Sequence, residues 1–176
     1  MEFPTLETPR LVLRRPRPDD AEAVFFGYAR DAEVCRYMTW RPNESVVQTE
    51  GFMHNILARV DEGKSFTWAI TQRGDDTLIG MIELRPDGHK ADFGYVLARA
   101  FWGRSLMTEA LLAVLDFAFT LPGIYRVWGV CDVDNIASAR VMEKSGLTYE
   151  GTLRRDTIHP NISDEPRDVR CYARVR

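Results

Sequence analysis

The chain of 176 residues has only three cysteines, Cys35, Cys131 and Cys171, widely spaced and without a Cys-x-x-Cys pair. That scarcity excludes a disulfide framework and gives no zinc-ligand spacing, so no metal is expected and the compartment expected is the reducing cytoplasm. Long apolar runs are also missing. No stretch approaches the roughly 20 residues that span a bilayer, and the opening "MEFPTLETPR" has no basic segment leading into an apolar one, so neither an anchor nor an export signal is expected. Positive charge is not in excess: 23 Lys and Arg against 26 Asp and Glu leave a net charge of −3. Such a balance offers no grip on a nucleic-acid backbone or an anionic membrane. Low-complexity tracts, internal repeats and Ser/Gly-rich linkers are absent as well, which predicts one domain over residues 1–176, long enough to bury its own core.

What is present is a change of hydrophobic period along the chain. "RLVLRR" (10–15) alternates between flanking prolines and predicts a first strand. Pro18-Asp19-Asp20 then starts a helix to about Ala29, with carboxylates where the helix dipole favours them. Residues 45–62 carry apolar positions at mostly helical spacing and stop at Gly63, predicting a second helix. "SFTWAITQ", "TLIGMIEL" and "ADFGYVL" are β-rich runs divided by "RGDD" and "RPDGHK", which predicts an antiparallel meander. Residues 106–118 repeat apolar side chains at i, i+3 and i+4, the pattern of a largely buried helix. "YRVWGVCD" reads as a strand, 135–145 as a short helix closed by Gly146, and "LTYEGTLRR" and "DVRCYARVR" as two final strands. The class is therefore α+β, on one mixed, mostly antiparallel sheet of about seven strands flanked by helices.

Between the strand "GYVL" and the buried helix lies "ARAFWGRSLMT". A helix opening with small or polar groups presents unpaired backbone N–H groups together with the positive end of its dipole, which favours an anion, and Arg104 adds a cation. The same residues serve a plain turn shaped by Gly103 and capped by Ser105 or Thr108. Neither the Gly-x-x-x-x-Gly-Lys nor the Gly-x-Gly-x-x-Gly phosphate signature is present.

The stretch "YVLARAFWGRSLMTEALLAVLDFAF", followed by "RVWGVCDVDNIASARVMEKSGLTYEGTLRR", resembles the signature half of the GCN5-related N-acetyltransferases. Within them it resembles the ribosomal-protein alanine N-acetyltransferase branch, and the amino-terminal "LETPRLVLRRPRPDDAEAVF" does so too. The resemblance implies a sheet splayed between its fourth and fifth predicted strands, with acetyl-coenzyme A as the acetyl donor and no metal. It places the pyrophosphate on the backbone of Trp102, Gly103, Arg104, Ser105, Leu106 and Met107, with Thr108 beginning the helix. Ser105 stands where such proteins usually have Gly, so its Cβ would obstruct close approach or bring strain at positive φ, unless its hydroxyl adds a donor. The pantetheine arm is implied to pair with main-chain groups of Tyr95, Val96 and Leu97, and Asn135 matches a pantetheine-contacting Asn. As a preferred N-cap, Asn135 can fill both roles, its oxygen capping and its amide staying free.

For catalysis, the resemblance implies a proton donor for the departing thiolate. Many relatives use a Tyr seven residues after the Asn; this chain has Met142 there. Ser138, three residues after Asn135, matches the donor proposed in the ribosomal-protein branch, and is equally an ordinary helix Ser. For the general base, Glu83 is favoured on a central strand beside Met81, Ile82 and Leu84, an apolar setting that would raise its pKa. Asp156 and His159 are alternatives near the end of the sixth predicted strand, where Thr157 matches the branch's catalytic Glu by spacing and cannot serve. Tyr37, Met38 and Trp40 are candidates for the acceptor cleft or for the core, and "HPNISDEPRD" for a lip or a plain connection. The implied acceptor is an amine, on a peptide N-terminus or a small molecule, and a coenzyme A-binding sensor or scaffold without turnover is the competing expectation. A homodimer is left open.

Overall fold

A computed structural model describes residues 3–176. Its sheet begins with two short strands, β1 (Leu6–Glu7) and β2 (Leu11–Arg14), the second burying Leu11 and Leu13 as alternation predicts. Pro18 opens a 3-10 turn over Pro18–Asp20 that continues into α1 (Ala21–Val24) and then a π-helical turn over Phe25–Ala29, so the single helix expected here is three tightly joined pieces. Buried Asp20 accepts two hydrogen bonds from the Arg14 guanidinium, at 2.9 and 2.6 Å, and one from the Arg17 N–H at 2.7 Å, which locks the helix start to β2. A short α2 (Ala32–Cys35) and a long α3 (Val46–Asp61) follow, each N-capped by a side chain, Asp31 and Ser45.

The meander is present as β3 (Phe66–Gln72), β4 (Asp75–Asp87) and β5 (Lys90–Leu97). Helix α4 (Leu106–Ala118) then crosses over to β6 (Arg126–Asp132), and α5 (Ile136–Lys144) leads into β7 (Thr148–Thr157) and β8 (Arg167–Val175). The strand order is β1-β2-β3-β4-β5-β6-β8-β7. Eight strands stand where about seven are predicted, the extra one being the two-residue β1, too short to show a period. Among the described residues only β5 and β6 run parallel, as a helical crossover requires.

Two apolar layers cover the sheet. On one face α4 buries Met107, Ala110, Leu111, Val114, Leu115 and Ala118 against alternate residues of β2 to β6. On the other, α1, α3 and the turns between them pack Val24, Tyr28 and Met53 on Ala69, Leu78 and Met81. The three cysteines are buried and free.

Strands β5 and β6 pair only at Lys90–Arg126, Ala91–Val127 and Asp92–Trp128, and there the ladder stops. The next rung would join Phe93 to Gly129. The Phe93 ring occupies the space a side chain at 129 would need, since a Cβ on Gly129 would lie 2.6 Å from its Cζ. That ring wedges the strands apart and stacks on Tyr95 at 6.0 Å. The expected splay between these two strands is thus observed, with a residue-level cause.

Candidate active site

The upper ends of β5 and β6 bound a gap whose sides carry different chemistry. Continuing the register of the three rungs sets Tyr95 opposite Cys131 and Val96 opposite Asp132. Because side chains alternate along a strand, Tyr95 and Cys131 face the α4 layer while Val96 packs into the α1–α3 layer.

On the α4 side, the hydroxyls of Tyr95 and Ser138 share a hydrogen bond of 2.7 Å in which either can donate, and the Tyr95 hydroxyl also donates to the Ser138 carbonyl at 3.3 Å. Helix α5 places Ser138 here because Asn135 caps it: the Asn135 Oδ1 accepts from the Ser138 N–H at 3.1 Å. The cap uses only the oxygen, so the Nδ2 amide is left with no partner among the described residues, as the dual role requires. Burial pushes the Tyr95 phenol well above its ordinary range and the Cys131 thiol up to about 11, against the opposing pull of Arg170 and of the hydrogen-bonding Ser138. Both therefore remain protonated at neutral pH. Met142 is fully buried in the core, an apolar packing residue.

The turn beyond β5 has the geometry of an anion cradle. Gly103 has φ 72°, Ser105 φ 58° and ψ 17°, and α4 makes its first helical bond only at Glu109 N–H to Ser105 carbonyl, 3.1 Å. The N–H groups of Leu106, Met107 and Thr108 precede that bond and have no carbonyl of their own helix to meet. Ser105 thus holds the left-handed conformation in which glycine is the easy residue, and its side chain makes no capping bond. Arg10 braces the turn, donating to the Arg104 carbonyl at 3.0 Å and to Glu109 at 2.6 Å, while Thr8 donates to the same carboxylate at 2.6 Å. Burial raises the Glu109 pKa, but these hydrogen bonds outweigh it and hold the carboxyl below its usual range. Trp102 folds back so that its indole N–H donates to the Leu97 carbonyl at 2.7 Å, closing the strand end. The Arg104 guanidinium lies 5.7 Å from the Phe101 ring.

Glu83 is half-buried on β4 beside Gly94, with its carboxylate engaged by Arg85 at 2.6 Å and by Arg59 of α3 at 3.3 Å. Arg85 in turn pairs with Asp92. Glu83 thus lies on a strand one removed from the gap, inside an ion-pair network rather than the apolar setting its neighbours suggest. Asp156 is exposed and accepts from the Thr157 hydroxyl at 2.8 Å. His159 is buried, with its Nε2 3.7 Å from Asp132. Tyr37 stands edge-on to the His159 ring, 6.5 Å between centroids, and donates to the Asp134 carbonyl at 3.3 Å. Trp40 packs against the α1–α3 layer. The loop after β7 is tethered, since the Asn161 amide donates to the carbonyls of Cys35 at 2.6 Å and Trp40 at 2.8 Å. A cleft of about 560 Å³ between that loop and residues 32–42 is lined by Arg36, Arg41 and Pro160 and by no residue of β5 or β6.

Sequence reasoning missed the Tyr95 side chain as the partner of Ser138 and the Asp132–Arg167 clamp at the end of β6. The only signal for either was a polar residue on a strand otherwise buried.

Comparison with known proteins agrees with this geometry. Residues 10–148 match the family model described as the acetyltransferase (GNAT) domain. The chain is 32% identical over 177 residues to the uncharacterized N-acetyltransferase YoaA of Bacillus subtilis, covering 99% of this chain and 98% of the relative. It is 30% identical over 156 residues to the ribosomal-protein-serine acetyltransferase of Escherichia coli, covering 81% and 83%. Among solved structures it resembles RimL, the ribosomal L7/L12 alpha-N-protein acetyltransferase in complex with coenzyme A. That match has a TM-score of 0.86 at 21% identity and covers 98% of both chains.

Proposed function

The chain belongs to the GNAT acetyltransferases and is an N-acetyltransferase, and from that premise we propose that it moves an acetyl group from acetyl-coenzyme A to a primary amine by direct attack within a ternary complex. The observation that carries this reading is the gap between β5 and β6, which runs up to the amide-lined turn at 103–108. Backbone N–H groups at a helix N-terminus suit a diphosphate, and a cleft between two strands with unpaired facing edges suits an extended amide-bearing arm. When bound, the thioester supplies the activated acyl carbon. Main-chain N–H groups near Val96 polarise its carbonyl, and Asn135 Nδ2 holds the arm. Ser138 gives its proton to the departing sulfur, while Tyr95, still protonated at neutral pH, orients that hydroxyl and can replace the proton.

The acceptor we propose is the α-amino group of a peptide, the class that the names of the ribosomal-protein relatives state for those proteins. Relatives that are N-acetyltransferases support turnover over a coenzyme-sensing scaffold. The test combines a thermal shift with thiol release. Acetyl-coenzyme A at about 100 times its dissociation constant should stabilise the fold by roughly 2.7 kcal/mol, and release of the free thiol should require an amine. Ser138→Ala should lower kcat by about 100-fold or more with little change in coenzyme affinity. No shift with the coenzyme, or unchanged turnover in Ser138→Ala, would remove the reading or the residue respectively. Peptides compared with spermidine in the same assay separate the two acceptor classes.

A further inference from the structure

His159 is 5% exposed, and neither Nδ1 nor Nε2 has a hydrogen-bond partner among the described residues. Leaving a polar group buried and unpaired is costly, so such a group calls for a reason. Packing alone does not supply one, because an apolar side chain would fill the same space without the cost. Nor does Asp132 need the imidazole: its carboxylate accepts from Arg167 at 2.6 and 3.1 Å and from the Asp134 N–H at 2.9 Å. Burial raises the pKa of Asp132, but Arg167 outweighs it and the carboxyl stays below its ordinary range. His159 therefore stands 3.7 Å from a permanent negative charge, too far for a hydrogen bond.

Its place in the sheet gives the pair a use. Asp132 ends β6 directly across the gap from Val96, on the face opposite Tyr95, Cys131 and Ser138. A thioester lying in the gap would have the proton donor on one face and His159 with Asp132 on the other. Asp132 from β6 and Tyr37 after α2 face the ring, and Asp132 is itself held by Arg167 of β8, which also pairs with Asp134. Glu83, by contrast, is already committed to two arginines.

We propose that His159 is the general base of the acyl transfer, with Asp132 as its positioning partner. The inference rests on the acetyltransferase reading above. The amine nitrogen bonds to the acyl carbon as the carbon–sulfur bond breaks. The proton from nitrogen goes to the imidazole, directly or through one water, and the sulfur takes a proton from the Ser138 hydroxyl. The neutral imidazole carries a lone pair on one ring nitrogen, and that nitrogen takes the proton. The imidazolium then releases its proton to solvent, and Ser138 regains one through Tyr95.

The experiment follows thiol release by the full chain from acetyl-coenzyme A, with peptides beginning Ser or Ala and with spermidine, alongside calorimetry with coenzyme A. His159→Gln should lose about 100-fold or more in kcat/KM and bind coenzyme A within about threefold of the parent, a split that a structural role would not give. In His159→Ala, added imidazole should restore part of the rate. With an acceptor amine that is neutral throughout the range, the parent's kcat/KM should fall toward acid pH, and this limb should vanish in His159→Gln. Turnover retained in His159→Gln, or a flat profile in the parent where neither variant folds, overturns the base and leaves the acetyltransferase reading intact. A parent that binds coenzyme A and acetylates none of the acceptors overturns both.

Discussion

Ser105 carries the clearest consequence at the scale of one residue. An L-residue held at φ 58° gives up about 1 kcal/mol relative to glycine, although the freer unfolded chain of a glycine offsets part of that advantage. Ser105→Gly should therefore leave the protein as stable or up to about 1 kcal/mol more stable, and it should bind coenzyme A at least as tightly. Weaker binding in a variant that melts no lower would assign the hydroxyl a part in holding phosphate. Gly129 tests the wedge from the other side. A methyl group there meets the Phe93 ring at 2.6 Å, so Gly129→Ala should cost about 1–3 kcal/mol in urea unfolding. The departure at Ser105 was legible in the sequence because a family pattern sets glycine there. The Tyr95–Ser138 pair was not legible, since its members are 43 positions apart and nothing in either neighbourhood announces the other. The burial of His159 was hidden for the same reason: its neighbours Tyr37 and Asp132 come from the turn after α2 and the end of β6, and only the folded chain assembles them.

At the scale of elements, the long periodic helices α3 and α4 and the capped α5 were plain in the spacing. Helix α2 and the π-helical turn at Phe25–Ala29 were not, because four or five residues give a period no room to repeat. The α5 cap permits its two roles to be separated. Asn135→Ala should cost about 1 kcal/mol of stability, whereas Asn135→Asp keeps an oxygen for the Ser138 N–H and loses the amide. Asn135→Asp should accordingly melt like the parent and bind coenzyme A more weakly in calorimetry. The end of β6 is joined to β8 by Asp132 and Arg167, and this pairing sets an acid dependence. A carboxyl whose folded pKa lies below its unfolded value adds stability that is fully present above the unfolded value, about 3.9, and that is lost as pH falls through the folded one. Asp132→Asn should destabilise the protein at neutral pH, and the difference from the parent should narrow steadily below about pH 4. A difference that stays constant in urea titrations across that range would mean that the Asp132 charge is not what holds the strands.

At the scale of the whole molecule, the meander, the crossover through α4 and the α+β class followed from alternation, turn chemistry and helical spacing. The splay did not: it was expected from family resemblance alone, since no periodicity distinguishes a strand that is paired along its length from one that leaves its neighbour halfway. Phe93 and Gly129 look like ordinary strand residues until they are seen across from each other. The eight-stranded sheet is in effect two leaves, β1 to β5 and β6 with β8 and β7, stitched by three rungs at one edge. Anything inserted between the leaves levers on that stitching, with the Phe93 ring as the fulcrum. Amide protons of Ala91, Val127 and Trp128, well below the acyl group, should thus exchange with solvent at rates that report whether the crevice is filled, a remote gauge of occupancy built into the seam.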